Sequence, residues 1–204
     1  MKTHYITLIF LLLIISCNPA EKNSYTNKKD AAGSSGFKQN EYGDSVRNII
    51  LMIGDGMGVS QVTAALTANY GKLNMAQCPV TGLAKTWSSD NYITDSGASG
   101  TALATGHKTY NSAIGVDSLG NPVKSILEIC EAHGMASGLI STSSITHATP
   151  AAFISHQKNR SMYEAIAADF LNTEIDLFIG GGYEYFTKRK DNRDLTKILS
   201  GKGY

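Results

Sequence analysis

The 204-residue chain has no excess of charge of either sign: 18 Lys and Arg stand against 17 Asp and Glu, a formal net charge of +1 at pH 7. A nucleic-acid-binding chain usually shows a basic stripe; nothing in this balance suggests one, and no nucleic acid is expected as a partner. The apolar run at residues 5–15, broken only by Thr7, is too short to span a bilayer comfortably, which takes about 20 residues. Preceded by Lys2 and His4, it reads as a cleavable export signal. No internal repeat is visible. Cysteine is scarce, with three in all, at 17, 78 and 130.

Ile14-Ile15-Ser16-Cys17 resembles a bacterial lipobox, in which the cysteine is lipidated and becomes the first residue of the mature protein. The alternative is an ordinary secretory signal with a chance cysteine. Several acyl chains anchor stably where one does not. The expected organisation is a signal at 1–17 with Cys17 as the lipidation site, a flexible polar tether at 18–45 rich in Lys, Asn, Ser and Gly, and a folded domain at 46–204. The expected location is exported: periplasmic, or an outer-membrane lipoprotein. Export permits a disulfide between Cys78 and Cys130, but Cys130 lies in an apolar helical pattern and reads as a buried free thiol.

Residues 48–53 form a continuous apolar run closed by Gly54-Asp55-Gly56, as suits a central parallel strand buried on both faces. Helices are expected at 60–70, 123–133 with Gly134 as its C-cap, and 161–171; further strands at 80–88, 137–142 and 176–179. Alternation of this kind predicts an α/β fold with a largely parallel central sheet and helices on both faces. In such sheets ligands bind beyond the carboxyl ends of the strands. Asp55, the loop 143–149 and Gly180–Gly182 all fall at such ends.

The stretch Thr94-Asp95-Ser96-Gly97-Ala98-Ser99-Gly100 runs from a polar turn into small residues that pack as a helix. Ser96 stands where that helix starts, among unpaired N–H groups that favour negative charge. Its hydroxyl is either a plain N-cap or a nucleophile whose anionic forms are stabilised there. Gly97 and Gly100 would leave room for a ligand near the backbone. Asp55 between glycines is either a turn carboxylate or a metal ligand. His147 and Thr149, two apart in a loop, would reach one ion or its waters. Arg160, expected at a helix start, is a cation where the dipole disfavours one, which hints at an anionic partner gripped by a guanidinium.

Taken together, these segments resemble the alkaline phosphatases. Asp55-Gly56-Met57-Gly58 is similar to the family's first metal loop, and Thr94-Asp95-Ser96 to its nucleophile turn. Lys108-Thr109-Tyr110-Asn111 with Gly115-Val116-Asp117 matches the stretch after the nucleophile helix. His147-Ala148-Thr149-Pro150-Ala151 and Asn159-Arg160 match the magnesium-side loop and the substrate arginine, and Gly180-Gly181-Gly182 a later strand end. The resemblance implies hydrolysis of phosphate monoesters at a site with two zinc ions and one magnesium. Ser96 would form a phosphoserine; Arg160 would hold two phosphate oxygens and Asp95 would orient it. Asp55 would lie between one zinc and the magnesium, Ser96 would meet that zinc, and His147 and Thr149 would belong to the magnesium site. The full-length enzyme would be a homodimer candidate.

Two departures stand out. Some bacterial members carry aspartate where His147 stands, and imidazole suits a hard ion less well than carboxylate. The family's remaining zinc ligands and one magnesium glutamate come from a C-terminal half, and the other histidines here, at 4, 107, 133 and 156, match no ligand motif. The chain therefore reads as the N-terminal part of a larger enzyme, with the sheet incomplete. Two rival readings follow: an inactive or partner-dependent fragment, and a related phosphodiesterase or sulfatase.

Overall fold

A computed structural model describes residues 48–204; the expected export signal at 1–17 with Cys17 and the expected tether at 18–45 lie outside the described residues. The chain divides into a unit ending at Met52 and a larger unit, Ile53–Tyr204. In the first, residues 48–52 carry no helix or strand and are exposed.

The larger unit holds seven α-helices among the described residues: α1 (Val59–Ala68), α2 (Ser96–Thr105), α3 (Ile126–Ala132), α4 (Ala148–Ala151), α5 (Tyr163–Asp169), α6 (Tyr183–Thr187) and α7 (Leu195–Gly201). Strand β1 (Gly138–Ser144) pairs in parallel with β2 (Leu177–Gly181), Leu139 opposite Phe178, with an irregularity between Ile140 and Ser144. The α/β class and the parallel pairing are as expected. The four-strand expectation is corrected: the runs at 48–53 and 80–88 carry no ladder among the described residues. Ile49, Ile50 and Met52 are 79%, 87% and 88% exposed. A strand buried on both faces needs a paired neighbour and a cover, and these runs have neither here. No helix among the described residues is long and apolar enough to cross a membrane.

The core sits where α5, α6 and α7 meet β1 and β2. Phe170 is its centre, fully buried, with ring centroids 4.7 Å from Phe178 and 5.7 Å from Phe186. A smaller cluster of Ile114, Ala148, Ala151 and Ile166 joins α4 and α5 to the segment after α2. Both described cysteines are free thiols; Cys78 is exposed and Cys130 only half-buried, because Leu127 is the one buried residue of α3.

Helix α3 starts with a capping box. Ser125 Oγ accepts from Glu128 N at 3.2 Å, and Glu128 Oε2 accepts from Ser125 N at 2.7 Å. The helix ends as expected at Gly134, whose N–H donates to Glu131 O while Met135 N donates to Cys130 O. Ser125 Oγ also donates to the Phe153 carbonyl at 2.6 Å. The free oxygen of Glu128 accepts from His156 Nε2 at 3.0 Å, and His156 Nδ1 donates to the Gly115 carbonyl at 2.6 Å. With an acceptor on each side, both ring nitrogens carry protons and His156 is an imidazolium. Next to it, Ile114 and Gln157 exchange two backbone hydrogen bonds of 2.9 Å.

The Glu128 carboxylate is the main cause that raises His156 above its ordinary 6.5, opposed by burial and helped by the Gly115 carbonyl. Burial pushes Glu128 up, but His156 and Ser125 outweigh it and hold it below its ordinary 4.5. The Glu128 contribution to stability is present above its unfolded value and is lost as pH falls through the lower folded one. The His156 contribution is complete below 6.5 and is lost as pH rises through the raised folded value. His156→Gln should therefore cost about 1 kcal/mol at pH ~6 and much less at pH ~10. Denaturant melts of the intact protein at both pH values check this; an equal loss at the two would contradict the ion pair.

Candidate active site

Helix α2 builds the centre of the site. Its N-cap is Asp95, not Ser96: Asp95 is extended (φ −95°, ψ 177°) and its Oδ1 accepts from Ala98 N at 2.9 Å. Ser96 is the first helical residue, so the plain N-cap reading of its hydroxyl does not hold. With capping done by its neighbour, Ser96 Oγ points its donor elsewhere, to Asp55 Oδ1 at 2.9 Å. The second Asp55 oxygen accepts from Thr149 Oγ1, also at 2.9 Å. One carboxylate from the loop before α1 thus ties a helix-start serine to a threonine in the first turn of α4. Asp55 is exposed, and Ser96 and Thr149 are half-buried.

The other oxygen of Asp95, Oδ2, accepts from Arg160 Nη1 at 3.0 Å, both side chains being 25% exposed. Burial raises the Asp95 carboxyl, but the Ala98 and Ser112 backbone amides and the Arg160 guanidinium together hold it below its ordinary value. Arg160 does not open a helix: α5 begins at Tyr163, and Arg160 stands in the turn before it. The argument from a misplaced helix-start cation is corrected accordingly; Asp95 compensates the charge. A guanidinium carries five donors, and its side chain gives one to protein among the described residues.

His147 and Thr149 do not share an extended loop. His147 is the N-cap of α4 and its imidazole makes no hydrogen bond among the described residues, whereas Thr149 reaches Asp55. The structure therefore joins Asp55, Ser96 and Thr149 in one cluster and Asp95 with Arg160 in a second, the two linked by the Asp95–Ser96 peptide. It leaves His147, two residues before Thr149, outside both clusters.

Residues 111–113, to which sequence reasoning assigns no role, pack beneath this centre. Asn111 Oδ1 accepts from Asp95 N at 3.0 Å, and Asn111 Nδ2 donates to Ile93 O at 3.0 Å. Ser112 is a non-glycine residue in the left-handed region (φ 73°), and its carbonyl accepts from Arg160 N at 2.7 Å. A positive φ at a serine has no signature in residue type; Asn111 stands in a stretch that resembles the family, but nothing in that stretch shows which groups its amide holds.

The glycines serve the protein, not a ligand. A Cβ on Gly97 would lie 2.9 Å from Ala113 O; one on Gly100 would lie 3.3 Å from Ala152 Cβ and 3.4 Å from Thr149 Cα. Their absence of side chain lets α2 approach the 112–113 backbone and α4. Buried Thr101 completes the junction, donating to Ala113 O at 3.3 Å and accepting from Gly115 N at 2.9 Å.

The donor set defines which cations suit it. Asp55, Ser96 and Thr149 converge as oxygens only, the chemistry of a hard ion such as magnesium, which often takes one or two carboxylates and keeps waters. Catalytic zinc usually takes three protein ligands, mostly His, Cys or carboxylate. No group of three such residues occurs among the described residues, so this set does not fit zinc by itself.

A parallel α/β scaffold that presents a serine, a carboxylate and an arginine from separate segments, beyond the carboxyl end of β1, places the chain among α/β proteins with a loop-built polar site. The chain belongs to the alkaline phosphatase family: the family model described as alkaline phosphatase matches residues 46–204. The chain is 45% identical over 174 residues to alkaline phosphatase 4 of Bacillus subtilis (strain 168), covering 78% of this chain and 37% of that protein. Among solved structures it is similar to alkaline phosphatase from the Antarctic bacterium TAB5, with 45% identity and a TM-score of 0.71 over 72% of this chain and 43% of that one. A histidine-to-aspartate mutant of the TAB5 enzyme, with Mg bound in the M3 site, matches at 46% identity and a TM-score of 0.70 over 72% of this chain and 42% of that one. The chain thus spans well under half the length of these relatives.

Close packing beneath Ser96 yields a mutational test. Gly97→Ala sets a Cβ against a backbone carbonyl, which cannot swing away, and should destabilise by about 1–3 kcal/mol despite the better helix propensity of Ala. The methyl of Gly100→Ala has more room, facing the Ala152 side chain and Thr149 at longer range, and should cost less. Denaturant unfolding of both variants decides; the reverse order would refute the packing account.

Proposed function

We propose that the protein hydrolyses phosphate monoesters, with Ser96 as the nucleophile. The observation that carries this is the Asp55 carboxylate holding the Ser96 hydroxyl, one residue from an aspartate that aims a guanidinium. Ser96 Oγ attacks phosphorus, the bond to the alcohol oxygen breaks, and a phosphoserine forms; water then cleaves it and restores the hydroxyl. Arg160 grips two non-bridging oxygens through donors that Asp95 leaves free. First-turn amides of α2 and the helix dipole favour the negative charge that gathers there. Asp55 orients Oγ by accepting its proton in a hydrogen bond.

Asp55, Ser96 and Thr149 would hold cations, which when bound would supply electrostatic stabilisation of the serine oxygen and of the leaving oxygen. Asp55 and Thr149, with His147 nearby, would hold a magnesium ion. Magnesium bound in the M3 site of the TAB5 mutant supports a metal-dependent reading. For two zinc ions, Asp55 and Ser96 supply one carboxylate and one hydroxyl, so their further ligands lie outside this set. The rival of an inactive or partner-dependent chain rests on that shortfall. A phosphodiesterase or sulfatase is separated by comparing turnover of monoester, diester and sulfate ester.

Trapping with labelled monoester at acid pH should place phosphate on Ser96, and Ser96→Ala in the intact protein should remove the label and most turnover. Arg160→Ala should weaken inorganic phosphate inhibition by about 1.5–3 kcal/mol, roughly 10- to 150-fold, and Arg160→Lys should recover only part because the fork is lost. Label on Ser99, or equal phosphate inhibition constants in all three proteins, would sink this assignment.

Export and anchoring through Cys17 belong to the same proposal: periplasmic or outer-membrane, with the tether at 18–45 holding the domain off the membrane, and a homodimer as the full-length assembly. Metabolic labelling with a fatty acid should mark the wild type and not Cys17→Ser. An unlabelled, soluble wild type would leave only a plain secretory signal.

A further inference from the structure

We infer that Asn111 is a positioning residue: its side-chain amide fixes the turn 93–95 and thereby sets the direction of Asp95 and of the arginine that Asp95 holds. The inference rests on the proposed role of Arg160 in binding phosphate for its functional part, and on geometry alone for its structural part.

Asn111 uses both ends of its amide on one turn. Its Oδ1 accepts from the Asp95 N–H and its Nδ2 donates to the Ile93 carbonyl, each at 3.0 Å. Two bonds in opposite directions, two residues apart, fix both the position and the tilt of the peptide planes between them. Asn111 is itself anchored. Its backbone N–H donates to Asp90 Oδ1 at 2.9 Å, and the same oxygen accepts from Ser88 Oγ at 2.8 Å. Ser88 is buried, so that anchor is attached to the body of the unit. The next residue, Ser112, receives the Arg160 N–H on its carbonyl. Residues 111 and 112 therefore hold the two partners of the Asp95–Arg160 pair from the same side, one through each.

Asp95 is also tied to its own helix, its carbonyl accepting from Ser99 N at 3.0 Å and Ser99 Oγ at 2.8 Å and its carboxylate from Ala98 N at 2.9 Å, but residues 93 and 94 have few other constraints. Thr94 Oγ1 donates only to the adjacent Asp95 carbonyl, at 3.2 Å, and Ile93 N donates to the Asn91 side chain at 2.9 Å. Tyr92 and Ile93 are 91% and 76% exposed, so no packing holds them. Loss of the Asn111 amide would free the approach to the α2 N-terminus while leaving the cap bond from Ala98 N to Asp95 in place. No alternative side chain of similar size keeps both bonds: aspartate lacks the donor, and leucine lacks both groups.

The test uses Asn111→Ala in the intact protein, with Asn121→Ala as control. Asn121 bonds Asp117 at 3.0 Å in the exposed turn 117–121, a comparable side-chain bond away from the site. In Asn111→Ala, amide hydrogen exchange of a peptide covering 93–99 should speed up, while a core peptide around Phe170 should not change. The inhibition constant of inorganic phosphate should rise about tenfold, because only part of the roughly 30-fold worth of two neutral hydrogen bonds is passed on through the arginine. In an Arg160→Ala background the same substitution should change it by less than about twofold, because coupled residues are not additive. The control should leave exchange at 93–99 and phosphate inhibition unchanged. Unaltered exchange at 93–99 in Asn111→Ala overturns the positioning role. Faster exchange with an additive tenfold effect in the Arg160→Ala background overturns the route through the arginine. A wild type that turns over no phosphate monoester with zinc and magnesium supplied refutes the proposed function instead, and the exchange result still decides the role of Asn111.

Discussion

A single carboxylate, that of Asp95, does two jobs on which the site depends. One oxygen caps α2, taking the Ala98 amide; the other holds the Arg160 guanidinium. Each bond is charge-assisted, and such bonds are worth about 1.5–3 kcal/mol where neutral ones are worth about 1. The division of labour has a consequence for the next residue. Because Asp95 caps, Ser96 is not needed as a cap, and its hydroxyl is available to Asp55. Because the same side chain aims Arg160, the distance between nucleophile and arginine is set through one peptide bond rather than by two independently packed loops.

The surroundings are arranged to keep that carboxylate where it is. Small residues on α2 let the 112–113 backbone press against the helix, and Thr101 joins this backbone to the helix by its hydroxyl. Ser112 turns through the left-handed region so that its carbonyl meets Arg160. A non-glycine residue there costs of order 1 kcal/mol or more, which the arginine contact and the Asn111 bonds on either side offset. Further back, the Ile114–Gln157 exchange and the Glu128–His156–Gly115 chain connect this segment to α3 and to the loop that carries Arg160. Rigidity flows inward from the hydrophobic core around Phe170 to the polar residues at its edge.

Legibility in the sequence follows the range of the forces involved. Strands β1 and β2 and helices α1, α3 and α5 are readable within a few residues, because local periodicity and capping residues such as Ser125 and Gly134 determine them. Ser96, Asp55, Asp95, Thr149 and Arg160 are readable as candidates because their segments match a known order. Their pairings are not, since Asp55 and Thr149 are 94 positions apart and Ser96 and Asp55 are 41 apart. The cap of α2 is misread from sequence by one residue: Asp and Ser are almost equal as caps, and only the backbone angle at 95 separates them. The runs at 48–53 and 80–88 have strand composition, yet composition supplies no ladder; a strand needs a neighbour, and neighbours are a property of the whole sheet. Asn111 is legible only as a member of a stretch that matches the family, with no role attached, and Ser112 carries no signature at all.

Asp55 shows where the site is weakest. It follows a stretch that carries no ladder among the described residues, and it is exposed. Its carboxylate is fixed by two hydroxyl donors, Ser96 and Thr149, and exposure to water reduces what each contributes. Hydroxyl hydrogens rotate freely, so two such bonds fix the oxygen positions less firmly than a bidentate guanidinium would. A hard divalent cation held by the same three oxygens would add a charge that attracts all three groups at once, and its binding would favour their gathered arrangement. The contrast with Asp95 is physical: one aspartate is held by fixed backbone and guanidinium donors, while the other is placed by two rotatable hydroxyls.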